Sequence, residues 1–304
     1  MDGKYAAIIN EKIAIRQLRP SDVNDLLNAG FPYKFALDQA LGYRIRKKVG
    51  LMQRSKGLVA YDVKENQVLG YLSLVEHTSL IYSIKFLFTS PNFRKLGVAS
   101  GLLNYGLSLA RERGAKKLYL NAESNDDASL MEFYAKRGFG LVIDNSMLWG
   151  EGSSTKLQAE TENRLTLVNV GSKTNKDYFF RVYKEIMGQN WIDFFNIKAS
   201  NLINGFSQYY RQFFVSKDVF VNESADLLVL VYKIPLVSNG FVELYAASDS
   251  VIPPILGDLS QILHDKGIKY TKISAFNLSG NEFFGLLTKM EFYPYQAQIL
   301  GRYL

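Results

Sequence analysis

A chain of 304 residues is longer than one ordinary domain, and 47% hydrophobic with 21% charged residues is a globular balance that excludes a disordered composition. The absence of cysteine excludes disulfides, thiolate metal sites and an acyl-cysteine intermediate. The formal net charge of +7 fits a polyanion partner, an anionic cofactor or solubility alone.

The two histidines, His77 and His264, are too few and too isolated for a histidine-rich metal site. Each reads as an ordinary structural residue, and no metal is expected. No apolar run approaches the roughly 20 residues that cross a bilayer. The opening MDGKYAAIINEKIAIRQLRP lacks the basic, apolar, small-residue order of a signal peptide. A cytoplasmic protein without membrane contact is the expectation.

In chain order, KIAIRQL (12–18) reads as a strand, and Pro20 with Ser21 as the start of a helix that Ser21 caps. A second helical stretch covers roughly 33–54. Within it and just beyond, GYRIRKKVGLMQRSKG (42–57) reads as an amphipathic helix with a solvated basic face, the alternative being a patch for a polyanion or acidic substrate. GLVAYDV, the turn KENQ and VLGYLSLVE form a hairpin, and SLIYSIKFLFT (79–89) is a further strand. A helix follows from Val98, with Leu102, Leu103, Tyr105, Leu107 and Leu109 on its apolar face and Gly114 at its C-terminal end. KKLYLNAES is then a buried strand, DDASLMEFYAKRG a capped helix and FGLVIDNSMLW a final strand or tight hairpin. The polar, small-residue stretch GEGSSTKLQAETEN (150–163) reads as a linker, RLTLVNV as a new strand and NKDYFFRVYKEIM as a new helix.

The order describes an α/β protein with a mixed, mostly antiparallel sheet flanked by helices. It also repeats. Residues 97–139 lie over 250–292 without a gap, bringing Gly114 onto Gly267, Lys116 onto Lys269, Ala122 onto Ala275 and Phe139 onto Phe292. We therefore expect two related domains, 1–150 and 163–304, joined by a linker at 151–162.

The stretch SPNFRKLGVASGLL (90–103) carries the chemistry. A helix N-terminus presents unpaired backbone N–H groups and about half a positive charge, which suits a phosphate. Gly97 allows close backbone approach, and Arg94 and Lys95 add formal charge. The spacing fits neither a Walker loop nor a dinucleotide G-x-G-x-x-G. It is R-x-x-G-x-A, formed by Arg94, Gly97 and Ala99. With LYLNAES and FYAKRGF downstream, the segment FLFTSPNFRKLGVASGLL resembles the GNAT superfamily of acyl-CoA-dependent N-acetyltransferases. The resemblance covers residues 12–150, while 163–304 share only the pattern.

The resemblance implies an acetyl-CoA site in which Arg94, Lys95, Leu96, Gly97, Val98, Ala99 and Ser100 hold the coenzyme pyrophosphate. It also implies that Leu87, Phe88 and Thr89 pair with the pantetheine arm beside a β-bulge. Tyr134 aligns with the tyrosine that protonates the departing thiolate. Two departures stand out. The strand glutamate that many members use to activate the amine is replaced by Lys85, and the pantetheine-contacting asparagine falls at Asp127, with Asn125 two residues earlier. Glu76 and Glu123 are then the candidate bases. In the C-terminal half, AASDSV (247–252) has neither the arginine nor the glycine, and Tyr134 maps to Leu287, so that half is expected to be degenerate. The expected function is direct acetyl transfer to the amine of an unspecified acceptor rather than nucleic-acid binding, by a monomer whose halves form an internal pseudo-dimer. A non-catalytic acyl-CoA-binding protein is the alternative.

Overall fold

Alternating apolar residues and short polar turns assemble the first part of the chain as expected. The computed structural model describes residues 7–32, 37, 54–123, 128–142, 146–157, 165–168, 173–195, 216–233, 238–278 and 282–304. Contacts divide the chain into two compact units, Met1–Asn121 with Gly301–Leu304, and Ala122–Leu300.

In the first unit, strands β1 (Ala7–Asn10), β2 (Ile13–Gln17), β3 (Arg54–Asp62), β4 (Val68–Glu76) and β5 (Ile81–Thr89) lie side by side, each antiparallel to the next. Strand β6 (Lys117–Glu123) joins β5 in parallel, as a crossover through a helix requires. Two side-chain oxygens close the early turns. Asn10 Oδ1 accepts the amides of Lys12 and Ile13, and Asp62 Oδ1 those of Lys64 and Glu65.

Helix α1 (Asp22–Asn28) starts differently from the expectation. Ser21 has helical backbone angles and makes no side-chain cap. Buried Asp22 organises this corner instead: its carboxylate accepts both guanidinium nitrogens of Arg16, at 2.5 and 2.8 Å, and the Arg19 amide at 2.7 Å. The basic-helix reading of 42–57 is corrected at its end, because residues 54–57 are part of β3. Residues 42–53 lie outside the described residues.

Helix α2 (Val98–Glu112) buries Val98, Leu102, Leu103, Leu107, Leu109 and Ala110. It covers the face of the sheet that β4 presents through Gly70 and Leu72. A Cβ on Gly70 would lie 2.7 Å from Val98 Cγ1, and one on Gly106 only 3.4 Å from the Leu72 methyls. The opposite face packs Val59, Tyr71, Phe86 and Phe88 around Leu26 of α1. Along β4, positions 71, 73 and 75 thus face α1, and 70, 72 and 74 face α2.

The second unit has strand order β14–β8–β13–β12–β11–β10–β9, where β8 is Ser146–Ser153, β9 Leu165–Leu167, β10 Ser216–Asn222, β11 Leu227–Lys233, β12 Asn239–Ala246, β13 Tyr270–Leu278 and β14 Tyr293–Tyr303. The short β7 (Gly140–Leu141) pairs with β14. Helices α3 (Ala128–Ala135), α4 (Lys173–Phe195), α5 (Leu256–Asp265) and α6 (Glu282–Lys289) complete it. Its core gathers Val229, Val231 and Leu244 from the sheet with Leu256, Leu259, Leu263 and Leu287 from the helices.

The stretch read as a linker begins inside this sheet. Residues through Ser153 belong to β8, which pairs with β13 and β14. A Cβ on Gly152 would meet the Phe292 ring at 2.8 Å, so this glycine is required by close packing rather than by flexibility. Ser154 is buried, its amide donating to the Lys269 carbonyl and its hydroxyl to that of Ile268, and Leu157 enters the core. The compact units also divide the chain at a different place from the repeats.

The repeat itself is visible in backbone hydrogen bonds. Gly114 and Ala115 donate to Arg111 and Ala110 carbonyls; Gly267 and Ile268 donate to the equivalent carbonyls of His264 and Leu263. Both glycines take positive φ, +84° and +64°. Lys116 and Lys117 share the Leu80 carbonyl as Lys269 and Tyr270 share that of Ser238, and Phe139 to Tyr134 is matched by Phe292 to Leu287. The flanking strands are matched too. Lys116 accepts the Leu304 amide within the first unit, and Lys269 accepts the Ser154 amide within the second.

Candidate active site

The site begins where a parallel strand pair stops pairing. Strand β5 is matched to β6 only over Ile81–Ile84 against Lys117–Leu120, although β5 runs on to Thr89 and β6 to Glu123. At that point the register of β5 against β4 shifts: Ile84 faces Leu74, Phe86 faces Ser73, and Lys85 is the extra residue. A bulge bends its strand and increases local twist, so Lys85 turns the end of β5 away from β6. A wedge opens, with the backbone of 85–89 along one side. At the end of this strand the hydroxyl of Thr89 is buried without a hydrogen-bond partner among the described residues. A buried polar atom left unpaired is unfavourable unless a ligand or water completes it.

The loop after β5 leads into α2. Buried Ser90 is anchored by its amide to the Leu69 carbonyl, and Pro91–Phe93 form one 3-10 turn. Lys95 and Gly97 both have positive φ, +65° and +82°. For Lys95 this is a strained conformation, and such strain collects at functional sites. Nothing stands within 4 Å of a Cβ on Gly97, so its backbone faces open space. As the N-cap of α2, Gly97 has no side chain to satisfy the first-turn amides. The helix's first bond is Gly101 N–H to Gly97 C=O, so the amides of Val98, Ala99 and Ser100 precede the ladder. Arg94, Lys95 and Leu96 are exposed beside them. Among the described residues neither Arg94 nor Lys95 has an ion-pair partner. Open amides beside two exposed cations are an arrangement that suits an anion.

The structure thus brings Leu87, Phe88, Thr89 and residues 94–100 to one wedge and its rim. Tyr134 lies on α3 in the other unit, buried between Phe133 and Phe139. Burial pushes its phenol up to about 12, against the opposing influence of Arg137. Glu76 is the last residue of β4, half-buried, and strand alternation puts it on the α2 side of the sheet. Glu123 ends β6, while Asn125 and Asp127 lie outside the described residues.

One cluster escaped the sequence reading. His77 Nε2 lies 2.7 Å from Ser83 Oγ and 3.0 Å from the Tyr119 hydroxyl, with the imidazole stacked on the tyrosine ring. Ser83 and Tyr119 are register partners across β5 and β6, immediately below the last pair before the wedge. Only strand register brings residues so far apart in sequence together, so spacing along the chain gave no signal.

Along its whole length the chain has the fold of a GCN5-related N-acetyltransferase from Sphaerobacter thermophilus, with TM-score 0.54, 10% identity, and coverage of 98% of this chain and 97% of that one. A tandem GNAT protein from the clavulanic acid biosynthesis pathway aligns over 96% of this chain and 98% of its own, at 11% identity and a TM-score of 0.49. No curated protein sequence matches the chain. Residues 22–139 match the family model described as the acetyltransferase (GNAT) family. They contain the wedge, the R-x-x-G-x-A loop and the FYAKRGF helix end, so over this stretch the chain is similar to the GNAT family.

Proposed function

We propose that the protein transfers an acetyl group from acetyl-CoA directly to an amine of an acceptor molecule, in the cytoplasm, using the site of its N-terminal repeat. The observation that carries this reading is the wedge between β5 and β6, opened by the Lys85 bulge and ending in the cationic loop before α2. Backbone amides of residues 94–100, with the charges of Arg94 and Lys95, hold the pyrophosphate. The unpaired edge at Leu87–Thr89 receives the pantetheine as an added strand would be received, and the Thr89 hydroxyl gains a partner. Asn125 or Asp127 contacts the same arm.

The amine attacks the thioester carbonyl, the C–N bond forms, the C–S bond breaks and the thiolate takes up a proton. Tyr134 is assigned as that donor, because a phenol held near 12 remains protonated throughout the working pH range. A lysine-like amine must first lose a proton, at a cost of about 4–5 kcal/mol at pH 7. The sequence offers Glu76 and Glu123 as candidate acceptors, although strand alternation turns Glu76 to the α2 side. Residues 1–150 form the working repeat and 163–304 the degenerate one.

Thermal melting of the full chain with acetyl-CoA tests the reading, followed by an amine screen that detects released thiol. At about 100 times Kd the coenzyme adds about 2.7 kcal/mol of stability. No shift with acetyl-CoA or a longer acyl-CoA overturns the proposal. A shift without transfer to any amine identifies a binding protein, the reading that Lys85 in place of the glutamate favours.

A further inference from the structure

We propose that the proton acceptor for the amine is His77, reached through the hydroxyl of Ser83, with Tyr119 holding the imidazole in place. The inference rests on the acyltransferase reading and supplies the base that Lys85 removed.

The geometry points there in three ways. First, Ser83 is at the apex of the wedge. The pair Ile84–Leu120 is the last joining β5 to β6, and Ser83–Tyr119 is the pair beneath it. A coenzyme held by the loop before α2 and lying in the wedge presents its thioester at that apex.

Second, Ser83, itself buried, is on the face of the sheet opposite α2. Helix α2 covers the face bearing Gly70 and Leu72, so an acceptor reaches the thioester from the α1 face. Register places Val75, Ser83, Ser73 and Phe86 on that face, whereas Glu76 belongs to the other.

Third, the hydrogen bonds suit a relay. Both hydroxyls address the same imidazole nitrogen, at 2.7 and 3.0 Å. With the ring proton on Nδ1, Nε2 accepts. The amine gives a proton to Ser83 Oγ as the Ser83 O–H proton passes to Nε2, leaving a neutral amine, an intact serine and an imidazolium. The amine then attacks the thioester, and the imidazolium later returns its proton to solvent. Titratable groups on the surrounding strands are Glu76 on β4, Arg54 on β3, Tyr82 and Lys85 on β5, and Lys117, Tyr119 and Glu123 on β6.

Two measurements on the full chain test the relay. The chain has only two histidines, and His264 is exposed, so ring 15N spectra of wild type and His264→Gln assign His77 directly. We expect an Nδ1–H tautomer at neutral pH that becomes imidazolium on acidification. A neutral His77 carrying its proton on Nε2 overturns the relay. The second measurement compares butylamine, cationic at pH 7, with hydroxylamine, already neutral there. Ser83→Ala and His77→Gln should lower transfer to butylamine by about 10²-fold, while the hydroxylamine rate and the acetyl-CoA melting shift stay within about threefold. Equal losses with both nucleophiles mean a structural role and overturn the relay, as does an unchanged butylamine rate in Ser83→Ala. Absence of any acetyl-CoA shift in wild type instead removes the acyltransferase reading beneath it.

Discussion

The two repeats of this chain share a helix–strand–helix core and differ in the strand and loop proposed above as the coenzyme site. In the first, β5 leaves β6 after four matched positions; in the second, β12 stays with β13 over all of Asn239–Tyr245. A bulge interrupts β5 at Lys85, whereas β12 runs against β11 without a register shift. Seven residues, 90–96, separate Thr89 from Gly97. Only Ser248 and Asp249 separate their counterparts, Ala247 and Ser250. The loop proposed for the phosphate is therefore missing from the second repeat rather than merely mutated. Where Lys85 protrudes, the equivalent Glu243 is buried in an unbroken ladder and accepts the hydroxyls of Tyr232 and Tyr245 at 2.9 and 3.1 Å. From Ile84 to Gly97 the first repeat spans 97 − 84 = 13 positions, and from Val242 to Ser250 the second spans 250 − 242 = 8. Five residues in all, Lys85 among them, thus separate the open wedge from the unbroken ladder.

The largest effect should come from removing that difference. Deleting Asn92–Leu96 shortens the first loop to the length of the second. It should leave the circular dichroism spectrum intact and weaken acetyl-CoA binding by more than about 100-fold, since both cations and the amides of residues 94–96 are lost together. Retained affinity, read by calorimetry, would remove the loop from the site.

The next effect concerns Tyr134 against its counterpart Leu287. Tyr134→Phe should lower turnover by about 10²-fold with little change in coenzyme affinity. Leu287→Tyr should create no activity and cost about 1–3 kcal/mol, because Leu287 is fully buried. The pH dependence has a definite sign. The folded phenol titrates near 12, above its ordinary 10. The stability it contributes is complete below pH 10 and is lost as pH rises through 12, a loss that Tyr134→Phe removes from alkaline denaturation curves.

The smallest effect is purely structural. Glu243→Gln should cost about 1–3 kcal/mol in urea denaturation by weakening the tyrosine hydrogen bonds. It should leave the acetyl-CoA melting shift unchanged; a lost shift would mean that the second repeat takes part in coenzyme binding.

What could be read from the sequence follows from the range of the interactions. The helix from Val98, the hairpin around KENQ and the R-x-x-G-x-A loop depend on neighbours a few residues away, and pattern exposes them. The gapless match of 97–139 with 250–292 follows the same logic, since each repeat is locally self-consistent. Register is a different matter. Lys85 reads as a missing glutamate, and only its pairing with β4 reveals the extra residue that opens the wedge. His77 reads as an isolated histidine until Ser83 and Tyr119 meet it from two other strands. Likewise, Gly150 and Gly152 read as linker residues because the Phe292 ring that requires the latter is distant in sequence.

The flanking strands carry a consequence for how the molecule is made. The edge of β6 is completed by residues 301–304, which leave the ribosome last among those described, while β8 is taken up by the sheet of the second unit. Throughout synthesis of the second repeat, β6 has an uncovered hydrogen-bonding edge, the kind of surface on which nascent chains mispair. Neither repeat can be released as a self-sufficient module by cutting between them, because each cut piece keeps a strand that completes the other. Each repeat thus remains part of the scaffold of the other.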